Sequence, residues 1–121
     1  GIDTMESHNE ERVASQSDYY GMAPTQVRKW SAEATTLVRE MAVDRIVELD
    51  YGPDRQDRYG RILAYVHLPD GQDLGLLLVE RGLAAAYRKF DHPRKELYLA
   101  AEALARARGK GLWKDATRSE W

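Results

Sequence analysis

The chain of 121 residues has no cysteine, four prolines, a single phenylalanine and no excess of positive charge. Without cysteine there is no disulfide, no thiolate nucleophile and no cysteine-ligated zinc. A formal net charge of −2 means that the field of the whole molecule does not draw in polyanions, so any nucleic-acid contact has to be local. No apolar run approaches the length of a membrane span. The first twenty residues are too polar for the apolar centre of a signal peptide, and the chain opens on Gly1 rather than methionine, so we expect further sequence upstream.

What is present is a balanced composition, 43% hydrophobic and 31% charged, typical of one domain with its own core. Acidic side chains gather near the start, where Asp3, Glu6, Glu10, Glu11 and Asp18 face a single Arg12. Residues 7–22 carry Ser, Asn, Glu and Gln without apolar periodicity and read as a long exposed loop, mobile unless a ligand orders it.

From Pro24 the pattern becomes helical, with Val27, Trp30, Ala34, Leu37, Val38 and Met41 on one stripe, predicting a helix over 24–42. Residues 45–50 are rich in β-branched side chains and run into Gly52-Pro53-Asp54, a strand followed by a turn. A second strand starts near Arg61 and closes at Pro69-Asp70-Gly71, giving an antiparallel pair. Leu74 to Arg81 reads as a short helix with Gly82 as its left-handed cap. Leu83 to Tyr87 reads as extended or irregular. A last helix begins at Pro93, places Leu97, Ala100, Ala101, Leu104 and Ala107 on its core face, and stops at Gly109 and Gly111. Trp113 is expected to fold back on the core.

Two clusters carry chemistry. Asp3 and Glu6, three residues apart, are hard oxygen donors suited to a divalent cation and to activating water. Asp57-Arg58-Tyr59-Gly60-Arg61 puts two guanidinium groups at the mouth of a strand, where the planar fork can grip phosphate. Taken alone, the second cluster reads better as surface ion pairs flanking a turn, since structural ion pairs are commoner than sites. His8, His67 and His92 have no metal-ligand spacing and are read as structural or exposed. Tyr65 is open between a core residue and a platform for a base.

In order along the chain stand Gly-Ile-Asp-Thr-x-Glu at residues 1–6, Asp-Arg-Tyr-Gly-Arg at 57–61 running into Leu63-Ala64-Tyr65-Val66, Asp70-Gly71, Leu78-Val79-x-x-Gly82-Leu83-Ala84 and Gly111-Leu112-Trp113. With these five motifs the chain resembles the thermonuclease family, the staphylococcal nuclease-like domains, over residues 1–113, with 114–121 as a tail. The resemblance implies an α+β fold, a five-stranded oligonucleotide-binding barrel packed on three helices. This chain would supply the last two strands and all three helices, with the first three strands missing.

It also implies calcium-dependent hydrolysis of DNA or RNA phosphodiesters with low sequence specificity. Glu6 and Arg61 would be catalytic, Asp3 and Thr4 would bind Ca²⁺, and Asp57, Arg58, Tyr59 and Tyr87 would contact substrate. Met5 stands where the family usually has proline. The family's catalytic set further includes an Asp from an Asp-Gly-Asp turn and a second Arg, neither of which is in this sequence. Little or no turnover is therefore expected of this chain alone. The other reading is a non-catalytic module of the same fold that binds single-stranded nucleic acid or protein. An uncovered barrel edge would favour self-association. Export to the periplasm or the outside is implied by the resemblance only.

Overall fold

The computed structural model describes residues 2–56, 58, 60–89 and 91–121. Among them the chain forms an α+β arrangement of four short strands and four α-helices. Strand β1 (Ile2–Thr4) leads to helix α1 (Glu10–Tyr20) and helix α2 (Pro24–Ala42). The hairpin β2 (Glu48–Gln56) and β3 (Ile62–His67) follows, then helix α3 (Leu74–Glu80), strand β4 (Ala84–Ala86), helix α4 (Lys95–Ala107) and a 3₁₀ turn at Gly111–Lys114.

The strands make two separate antiparallel pairs, β1 with β4 and β2 with β3, rather than a closed barrel. The expectation of two strands and three helices is thus corrected in both numbers. Ile2 faces Ala86 and Thr4 faces Ala84, joining the start of the chain to the segment read as extended or irregular. In the hairpin Glu48 faces His67 and Tyr51 faces Ala64, with a register irregularity between Tyr51 and Gln56. The turn expected at 52–54 is absorbed into β2.

The clearest correction is α1, which occupies the region read as a loop. Its start is fixed by Asn9, whose side chain accepts from Arg12 N at 3.1 Å, and by Glu10 and Glu11 in the first turn, where carboxylates favour the helix dipole. Gly21 ends it in the left-handed conformation at φ 68°. The buried stripe is Val13, Gln16 and Tyr20. Its one polar member hides the helical period from a reading based on apolar residues.

Helix α2 has the predicted limits, with Pro24 in the first turn and Gln26 accepting from Ala23 N at 2.9 Å. Its inward face carries Val27, Trp30, Ala34 and Leu37, and Trp30 Nε1 donates to Asp115 at 2.8 Å. Helix α3 is capped by Asp73, which accepts from Leu76 N. Gly82 beyond it has φ +71°, and a Cβ there would stand 2.1 Å from the Lys110 carbonyl oxygen. The core is a single cluster in which Val13, Val27, Val79, Ala84 and Leu112 are almost wholly buried. Burial at about 25 cal/mol per Å² of apolar surface makes this cluster the main stabilising element.

Helix α4 presents a different face from the one expected. Tyr98, Glu102 and Ala105 are buried, whereas Leu97 and Leu104 are 51% and 52% exposed. Two polar anchors set this rotation. The Tyr98 hydroxyl donates to Asp73, and Glu102 is drawn inward by the Ala86 N–H and the Arg88 guanidinium. Trp113 is buried as expected, in edge contact with Tyr20 and Trp121. The last residues pack on α1, since Thr117 N donates to the Tyr20 carbonyl at 3.0 Å.

Candidate active site

The acidic turn after β1 is held by one side chain from α1. Gln16, 4% exposed, accepts from Glu6 N at 2.8 Å and donates to the Thr4 carbonyl at 3.0 Å. Between these contacts Met5 is buried in the core, so the residue that replaces the usual proline anchors the turn by packing. Glu6 is half-buried and its carboxylate accepts from Ser7 N at 3.0 Å.

Asp3, on β1, receives Arg12 Nη2 at 2.6 Å from one turn into α1. Both line a cleft of about 350 Å³ with Ser15, Gln16, Tyr19 and Tyr20 from α1 and residues 85–89 from β4 and beyond. The fold therefore brings two of the expected site residues, Asp3 and Tyr87, into one concavity. Burial pushes the Tyr20 phenol well above its ordinary range, and the Asp3 charge adds to this, so Tyr20 stays neutral there. Arg88 is fixed by hydrogen bonds to buried Glu102, which raise its pKa further.

Arg58 and Arg61 are exposed in the segment that joins β2 to β3, the strand pair separate from the one that carries Asp3 and Thr4. Asp57 and Tyr59 lie outside the described residues. Beyond Arg61, residues 62–65 line a second cleft of about 410 Å³ with residues 52–54 and 91–93. Here Tyr65 is a connecting residue. Its hydroxyl bonds His92 Nδ1 at 2.6 Å and accepts from Arg94 N, while Arg94 packs over its ring at 4.0 Å. Arg94 also ties Asp50 and Asp73 together, fastening the hairpin to α3 and α4. Burial lowers the His92 pKa, and positive charge nearby, including Lys95, adds to this.

A calcium ion takes six to eight oxygen ligands. Asp3 and Thr4 offer the right kind of oxygen, but the Asp3 carboxylate is paired with Arg12 and the Thr4 carbonyl with Gln16. Among the described residues no three acidic, histidine or cysteine side chains come together to hold a metal. These residues do not by themselves fit Ca²⁺.

Arg12, Gln16, Tyr19 and Lys89 were not picked out from the sequence. The one available signal was Arg12, the lone cation among the early acidic residues. Gln16 left none, because a polar residue in a polar segment marks nothing until the helix is known.

The sequence model of the family described as staphylococcal nuclease homologue matches residues 1–115, and the chain belongs to that family. Among its relatives is a probable endonuclease LCL3 of Arthroderma otae, 38% identical over 94 residues that cover 72% of this chain and 33% of that protein. An uncharacterized endonuclease of Escherichia coli is 31% identical over 94 residues, covering 78% and 59%. One of Haemophilus influenzae is 42% identical over 60 residues, covering 50% and 32%. The matched part of the chain thus spans between a third and three-fifths of the length of these relatives. Among the described residues no helix is long and apolar enough to cross a membrane.

Proposed function

We propose that this chain is part of a nuclease that hydrolyses phosphodiester bonds of DNA or RNA, as the endonuclease names of its relatives indicate for those proteins. The observation that carries the reading is the turn from Asp3 to Glu6, clamped by Gln16 beside a cleft lined with cationic and aromatic side chains. Glu6 accepts a proton from the attacking water, its carboxylate oriented by the Ser7 N–H. Arg61 donates to the phosphate and offsets charge in the transition state, a task for which the planar guanidinium suits better than an ammonium. Arg58 and Tyr87 hold neighbouring parts of the substrate.

Calcium dependence requires oxygens beyond Asp3 and Thr4, so no step is routed through the ion here. The test is hydrolysis of end-labelled DNA and RNA oligonucleotides by the protein that carries this domain, as wild type and as Glu6→Gln and Arg61→Lys, with calcium titrated against a chelator. The reading expects each variant to lose turnover by about a hundredfold or more while retaining binding, in line with the loss of a general base or a charge-stabilising donor. Turnover unchanged in both would remove the assignment of these residues. Binding without products in the wild type would favour the non-catalytic module, a reading that the engagement of Asp3 by Arg12 also supports.

A further inference from the structure

Glu6 lies in the short connection between two rigid elements. Strand β1 ends at Thr4, which faces Ala84, and α1 begins behind its cap at Asn9. The direction in which the Glu6 side chain leaves the backbone is set by the planar peptide unit that ends at its own nitrogen. That unit meets the one before it at Met5, whose φ and ψ are the two soft angles that relate them.

Gln16 reaches both units with one planar group. Its amide N–H donates to the Thr4 carbonyl, in the unit before Met5, at 3.0 Å, and its amide oxygen accepts from Glu6 N, in the unit after it, at 2.8 Å. The partners settle which end of the amide is which, since a carbonyl takes only a donor and an N–H only an acceptor. The Gln16 side chain and Met5 are both buried, so little water competes for either bond. Arg12, one turn earlier on the same helix, ties the Asp3 side chain rather than the backbone. A proline at position 5, where the family usually has one, would fix φ through its ring. Met5 has no ring, and the two bonds from α1 hold the same angle from outside, together with ψ.

We propose that Gln16 is a positioning residue for Glu6: by fixing φ and ψ of Met5 it sets the direction of the Glu6 carboxylate, and so does for this chain what a proline at position 5 would do. The proposal rests on the nuclease reading of the preceding section for the role of Glu6, but not for the clamp on Met5. It gives α1, the segment that reads as a loop, a part in the chemistry that none of its own side chains performs.

The experiment is steady-state hydrolysis of an end-labelled oligonucleotide by the protein that carries this domain, as wild type, Gln16→Met, Met5→Pro and the double variant. Methionine is close to glutamine in length and volume and offers no N–H donor and no oxygen acceptor. Gln16→Met should lower kcat about thirtyfold, because a displacement of about 1 Å at a reacting group costs up to about a hundredfold. KM should stay within about twofold, the mark of an interaction that serves turnover rather than binding. Met5→Pro gives up a buried side chain and should lower Tm, yet keep kcat within about threefold because the ring holds φ. On the Met5→Pro background Gln16→Met should cost no more than about threefold, a non-additivity that a residue of purely structural importance would not produce. In this chain the three-bond coupling between the Met5 N–H and Hα reads φ directly. It should be constant with temperature in the wild type and drift toward the coil average in Gln16→Met. Circular dichroism melts check folding, and Gln16→Asn, one methylene short of spanning both groups, takes the place of Gln16→Met should that variant not fold.

Equal losses of kcat on the two backgrounds overturn the proposal, as does a loss that falls on KM or an unchanged Met5 coupling in folded Gln16→Met. Hydrolysis that is abolished by Glu6→Gln but untouched by Gln16→Met overturns it while leaving the catalytic reading in place. Absence of hydrolysis, or hydrolysis indifferent to Glu6→Gln, removes the catalytic reading and with it the role of Gln16 in turnover. The clamp on Met5 is then decided by the coupling constant alone.

Discussion

Replacing Glu102 with alanine removes the one acidic side chain that is 0% exposed among the described residues and leaves three donors facing its place. Ala86 N donates to it at 3.1 Å, Arg88 holds both of its oxygens, and Arg106 Nε stands 3.4 Å away as an ion pair. Breaking a fully buried pair costs about 3–5 kcal/mol. Here Arg88 and Arg106 are 31% and 28% exposed and regain some water, which lowers that part. The Ala86 N–H, inside a buried strand, regains none and contributes about 1–3 kcal/mol of unmet hydrogen bonding. The balance is about 3 kcal/mol, or a fall in Tm of about 12 °C for a chain of this size. Glu102→Gln keeps an acceptor for Ala86 but turns an amide N–H₂ toward Arg88, for a loss of about 2 kcal/mol. Urea unfolding followed by tryptophan fluorescence reads both values at constant m. Losses under about 0.5 kcal/mol in both variants would refute the reasoning, because β4 would then be held to α4 by apolar contact alone.

Gly82→Ala should cost more than about 2 kcal/mol, because φ is +71° and the new Cβ meets the Lys110 backbone, which has no flexible end to yield. A calorimetric melt within 2 °C of wild type would count against this. Asp73 is partly desolvated, which alone would raise its pKa, but hydrogen bonds from Tyr98, Leu76 N and Arg94 hold the carboxyl below its ordinary value. A carboxylate depressed in the folded state stabilises above its unfolded pKa of about 4, and that contribution is lost as pH falls through the folded value. Asp73→Asn should therefore lower Tm at pH 7 and flatten the fall between pH 5 and 3. Parallel Tm curves for the two proteins across that range would sink the argument.

Much of the fold follows from local patterns. Helix α2 reads at its true limits because Pro24 and an apolar stripe agree, and β3 reads from its alternating apolar run, whereas β2 begins after the β-branched Ile46 and Val47 and continues through the expected turn. Helix α1 had its terminal signals in plain view, Asn9, Glu10, Glu11 and Gly21, yet its inward stripe is only Val13, Gln16 and Tyr20. The rotated face of α4 could not be read locally, because what turns it is a carboxylate whose partners lie on another segment. The pairing of β1 with β4 is likewise set by the whole fold, as three residues at the start of a chain carry no record of their partner. Of the candidate site, Asp3 and Tyr87 were picked out separately and share a cleft, whereas Arg12 and Gln16 gain meaning only once α1 exists.

The Gln16 clamp sets how this region comes apart. Its amide gives a proton to Thr4 and takes one from Glu6, a pairing that glutamate cannot copy for want of a donor, lysine for want of an acceptor, and asparagine for want of a methylene. The first turns of α1 cannot unwind without freeing the backbone of the acidic turn, and that turn cannot open without stripping two partners from a buried amide. Helix and turn are thus one opening unit, and the amide of Glu6 exchanges with solvent at the rate at which α1 lets go.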